Sequence, residues 1–73
     1  MNENYTPVLH NIADTAKLLG CNISYVHKLR KSGLLPVIKL GSYKVRHEAL
    51  CNFLEKYEGY DLTDPEHPIQ ITE

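Results

Sequence analysis

Ile12, Ala16 and Leu19 recur at i, i+4 and i+7, the spacing that lines one side of a helix. A short helix is therefore predicted over residues 12–19. Its ends carry their own signals. Asn11 offers a side-chain oxygen to cap the first turn, and Asp14 three residues later makes a variant of the capping box. Gly20 suits the left-handed residue that closes a helix. A second helix starts almost at once, with Asn22 as N-cap, Val26 and Leu29 on one side, and Ser32-Gly33 ending the run. Two short helices separated only by Gly20, Cys21 and Asn22 must turn sharply, as in a helix-turn-helix. Cys21 falls where that turn needs a small apolar residue pointing inward.

After Gly33 the period becomes alternating. Val37-Ile38-Lys39-Leu40 and Tyr43-Lys44-Val45 read as two strands joined at Gly41-Ser42. Taken strand by strand, Ile38 and Leu40 share one face and Lys39 the other, which predicts a hairpin apolar on one side and basic on the other. Such a hairpin is marginal alone and must lean on the helices. From His47 the helical period returns, with Ala49, Leu50, Phe53, Leu54 and Tyr57 as a broad stripe and Glu48 in the first turn. Gly59 closes it. Residues 1–10 read as a lead-in, with a turn or extended stretch at Thr6-Pro7. Residues 60–73 read as an acidic, weakly structured tail, in which only Ile69-Gln70-Ile71 has the pattern of an edge strand. The domain is thus expected over residues 11–59.

With 73 residues the chain has room for one modest core and no deep substrate cavity. No apolar run reaches the ~18 residues of a membrane helix, and the first residues lack the order of a signal peptide, so a cytoplasmic protein is expected. Cys21 and Cys51 are too few and too far apart for a disulfide scaffold or a zinc clip. His10, His27, His47 and His67 form no metal-ligand spacing, and no glycine loop cradles a phosphate, so no cofactor, metal or catalytic residue is expected and the chain reads as no enzyme. Charge changes the picture more. The net charge is −1, yet from Lys17 to His47 there are seven basic residues and no acidic one. The other residues hold nine acids and one base, Lys56. A phosphate backbone responds to that local surface and not to the sum.

The order helix, tight turn, helix, basic hairpin, amphipathic helix resembles the excisionase-type, MerR-like winged helix-turn-helix DNA-binding family. Ala16-Lys17-Leu18-Leu19-Gly20, Val26, Leu29, Ser32-Gly33-Leu34-Leu35-Pro36, Val37 to Gly41, Val45, Glu48-Ala49-Leu50 and Phe53-Leu54 carry the likeness, over about residues 9–58. The resemblance implies a mainly α fold with a two-stranded wing, a second helix inserted into the major groove, and a wing on the backbone or minor groove. This chain departs from the pattern in a wing one residue shorter at Gly41-Ser42-Tyr43. It also has Arg46 where members often have Pro or Asp, so its last helix starts poorly capped. The acidic tail has no counterpart in the module.

With Val26 and Leu29 facing inward, Ser24, Tyr25 and His27 are the candidate base readers. Lys28 is a candidate for a guanine or a phosphate, and Lys31 for phosphate. In the wing the candidates are Lys39, Ser42, Tyr43, Lys44 and Arg46, and on the first helix Lys17. Tyr25 and Tyr43 have packing roles as alternatives, and Arg30 stands where the family often has an aliphatic residue. The expected function is sequence-specific binding of double-stranded DNA by an excisionase-like factor that bends the duplex beside an integrase or recombinase of bacterial or phage origin. A small transcriptional regulator of a mobile element fits the same residues, and a protein module docking an acidic partner is the alternative of another class. A monomer is expected in solution, with head-to-tail association on DNA bringing the acidic tail of one copy to the basic window of the next.

Overall fold

A computed structural model describes residues 8–72, so the turn expected at Thr6-Pro7 lies outside the described residues. Helix α1 spans Ile12–Leu19 and α2 spans Ile23–Ser32. The caps read from sequence set these ends. The Asn11 side chain accepts from the Asp14 N–H at 2.7 Å, and Asn22 does the same for Tyr25 at 2.7 Å. At the far ends Gly20 (φ 71°) and Gly33 (φ 86°) return their N–H groups to the last turns, a conformation that a side chain would strain. Cys21 sits half-buried between the helices, and burial pushes its thiol pKa up.

Three short strands follow a different plan from the expected two. Strand β1 (Leu9–Asn11) falls in the stretch read as a lead-in, and pairs antiparallel with β3 (Ser42–Arg46), which pairs on its other side with β2 (Ile38–Leu40). Three residues are too few for a periodicity signal. The strand forms because the sheet supplies a partner for its backbone and because His10 is buried opposite Val45. The Thr15 hydroxyl then donates to the Asn11 carbonyl at 2.8 Å, fastening β1 to α1.

The faces of the hairpin also differ from the strand-by-strand expectation. The tight turn at Gly41 (φ 80°) sets Ile38 opposite Lys44, Lys39 opposite Tyr43 and Leu40 opposite Ser42. Even-numbered residues therefore share one face and odd-numbered residues the other. Val45, fully buried, belongs to the odd face and turns it toward the helices, taking Tyr43 and Lys39 with it. Ile38 and Leu40, expected inward, lie on the outer face beside Lys44, with Leu40 57% exposed.

The core joins Ala16 of α1, Val26 and Leu29 of α2, Leu35 of the connection, Val45 of β3, and Leu50 and Phe53 of helix α3 (His47–Lys56). Arg46 precedes α3 and gives it no side-chain cap, as its residue type predicts. The helix start is held instead from β1 and the residue before it: His47 N–H donates to the Val8 carbonyl at 2.9 Å, and the His10 Nε2 and His47 Nδ1 atoms lie 2.9 Å apart.

The tail expected to be weakly structured folds into a hairpin of β4 (Tyr60–Asp61) and β5 (Ile69–Gln70). Its connection is braced by side chains too local for a periodicity reading. Asp61 accepts from the Thr63 N–H at 2.9 Å, and Asp64 from the Glu66 N–H at 3.1 Å.

Candidate nucleic-acid interface

Burial of Val26 and Leu29 fixes the roll of α2. Ser24, Lys28 and Lys31 are left exposed, His27 and Arg30 turn toward the β2–β3 hairpin, and Tyr25 turns to the opposite flank. Ser24 lies in the first turn after the Asn22 cap, where a helix-turn-helix meets base edges. Lys17, exposed in the last turn of α1, lines a surface hollow with Asn22 and Ser24 and so brings a cation to the α2 N-terminus.

Between α2 and the hairpin the structure assembles a cluster on one ring. The Arg30 guanidinium lies 4.0 Å from the Tyr43 ring centroid, and the Lys39 ammonium lies 5.0 Å from it. His27 meets the same ring edge-on at 6.2 Å, and its Nδ1 accepts from Arg30 Nε at 3.3 Å. A phenol ring presents negative charge on its faces and so holds two cations that would otherwise repel. The cluster fixes both charges in the angle between helix and hairpin. Arg30 was not a candidate on sequence grounds. Its signal was its place four residues after buried Val26, which keeps it beside the apolar stripe and aims it along the molecule.

Other candidates are placed differently. Tyr25 is half-buried against the core, and its hydroxyl donates to the Leu62 carbonyl. Its reading as a base contact is therefore replaced by a packing role, against the C-terminal hairpin. Burial, followed by the fields of Cys21 and Asp61, raises its pKa. Arg46 is ion-paired to Glu48 at 2.6 Å and stands at the β3 end remote from the Gly41 turn, so the structure does not join it to the other cations. Lys44 and Ser42 lie on the outer face of the sheet, Lys39 and Tyr43 on the inner one. The hairpin thus carries positive charge on both faces. Among the described residues no group of three or more His, Cys, Asp or Glu side chains is arranged to hold a metal ion, and no helix is long and apolar enough to cross a membrane.

A family model described as a helix-turn-helix domain matches residues 11–57, which spans α1, α2, the β2–β3 hairpin and α3. No curated protein and no solved structure matches the chain. With well over half of its residues inside that match, and with two capped helices abutting at Gly20-Cys21-Asn22, the chain belongs to the helix-turn-helix domain family, whose members bind DNA and are generally not enzymes.

Proposed function

We propose that this protein is a sequence-specific, excisionase-like architectural factor that binds double-stranded DNA and bends it. In this reading α2 enters the major groove, Ser24 and Lys28 meet base edges, and Lys17, Arg30 and Lys31 contact phosphates. The β2–β3 hairpin acts as the wing. The observation that carries the bending is the distribution of cations on that hairpin, with Lys39 inward beside Tyr43 and Lys44 on the opposite face. A strand pair charged on both faces fits between the two phosphate walls of a minor groove and neutralises both. Drawing those walls together costs deformation energy that the added contacts offset. An integrase or recombinase is the partner that the family resemblance implies for such a bend.

Titration of labelled duplex at two salt concentrations, followed by a bend assay, tests this. Phosphate contacts from Lys17, Arg30, Lys31, Lys39 and Lys44 imply a log–log salt slope of about −4.5. Affinity then falls about 500-fold between 50 and 200 mM salt. A flat salt response refutes DNA binding through this surface. A steep response with straight DNA refutes the architectural role and leaves a regulator that occupies its site without bending it.

A further inference from the structure

The acidic C-terminal hairpin lies outside the helix-turn-helix match, yet it is seated against the proposed reading helix of its own chain. Tyr25 of α2 donates its hydroxyl to the Leu62 carbonyl. One and two turns further along, Lys28 and Lys31 line a cleft with Thr63, Asp64, Pro65 and Glu66. Pro65 is buried, whereas the Asp64 and Glu66 side chains are exposed. The bond from the His67 side chain and the Glu66 N–H hold the Asp64 carboxyl below the ordinary range, with a smaller pull from Lys28. Within one chain the tail thus lies beside the basic window, across that cleft from Lys28 and Lys31.

We propose that the β4–β5 hairpin, tethered by Tyr25, is a built-in electrostatic brake on DNA binding. Its carboxylates line the cleft that a phosphate strand borders when Lys31 meets it and Lys28 reaches past it to a base edge. The inference rests on the DNA-binding reading above. A duplex lying along the exposed side of α2 has one backbone beside the Arg30–Tyr43–Lys39 cluster and the other beside the opposite, Lys28 flank. There Asp64 and Glu66 repel it and partly cancel the attraction of the lysines. The brake acts on every sequence alike, because phosphates carry no sequence information. It therefore lowers attachment to random DNA, and a cognate site must supply base contacts to overcome it. Because Tyr25 is engaged with Leu62, it acts on DNA only through the position of the hairpin.

Two variants give this reading a test of sign. Asp64→Asn with Glu66→Gln removes both charges while preserving side-chain size, and an asparagine oxygen still accepts the Glu66-position N–H. Neutralising a carboxylate about 8 Å from a phosphate in water is worth about 2- to 3-fold, so the pair tightens binding to a random-sequence duplex about 4- to 9-fold at low salt. That gain shrinks as salt rises through ~200 mM. Tyr25→Phe keeps the ring but removes the tether, and tightens binding about 2- to 5-fold. Far-UV circular dichroism melts confirm that both variants are folded. The brake is supported only if both tighten. A Tyr25→Phe that weakens binding means that Tyr25 touches DNA, and a double variant equal to wild type means that the hairpin stands clear of the backbone; either overturns the proposal while steep salt dependence in the wild type leaves DNA binding intact. Wild type and variants that all fail to bind at low salt overturn the DNA reading itself, and the brake with it.

Discussion

Replacing Arg30 by methionine isolates the cluster at the angle of helix and hairpin, because methionine keeps the stem and removes the guanidinium. Two interactions disappear. The cation–π contact over Tyr43, at 4.0 Å on a half-buried ring, is worth about 0.5–1 kcal/mol. The bond to His27 Nδ1, long at 3.3 Å, adds about 0.5 kcal/mol at most. The expected loss is about 0.5–1.5 kcal/mol. A domain of this size has an unfolding entropy near 0.14 kcal/mol/K, so the midpoint falls by about 4–10 °C. DNA binding changes in a second, separable way. One phosphate contact fewer lowers the log–log salt slope by about 0.9. Calorimetry reads the first effect and fluorescence anisotropy at four or five salt concentrations the second. Arg30→Lys completes the set, restoring most of the salt slope but little of the thermal loss, since an ammonium cannot lie flat on the ring or supply the Nε bond. An Arg30→Met protein with unchanged midpoint and unchanged slope refutes the cluster as an organised part of the interface.

Lys28→Ala is expected to weaken DNA binding by about 1–3 kcal/mol with relaxed specificity at one position if Lys28 meets a base, and uniformly across sequences if it meets phosphate; binding-site selection on both proteins distinguishes the two. Asn22→Ala removes the side-chain acceptor of the Tyr25 N–H and costs about 1 kcal/mol of stability, seen as a fall of about 7 °C in the melting midpoint. Hydrogen bonds from Thr63 hold Asp61, and those from His67 and Glu66 hold Asp64, below the usual carboxylate range. Depressed native pKa values contribute stability that is present above the unfolded pKa, near ~4, and lost as pH falls through the native ones. The C-terminal hairpin should therefore loosen below about pH 4 while α1 and α2 persist, which amide chemical shifts across an acid titration follow residue by residue.

Both helices of the motif were legible to the residue, since their determinants are local. A cap three residues from the N–H that it accepts, and a glycine that alone relaxes into the left-handed region, act within one turn wherever the helix lies. The poor cap at Arg46 showed only against the family pattern, in which Pro or Asp often stands there. The basic window was also visible as composition, because exclusion of every carboxylate over that stretch survives any fold. Which cations meet was not. Lys39 and Arg30 converge on Tyr43 because the Gly41 turn sets the parity of the pairing and Val45 then chooses the inward face. Neither fact exists until two strands are aligned and one is buried. Strand β1 is three residues that only a waiting partner makes a strand. Likewise the acidic tail is seated by contacts that no local pattern announces, Tyr25 reaching a carbonyl 37 positions away and Leu62 packing against the core. Sequence by itself determined the helices and the sign of the charge, through interactions spanning a few residues. The tertiary structure decided the neighbours, because burial and strand register are properties of segments that meet only after the chain has closed on itself.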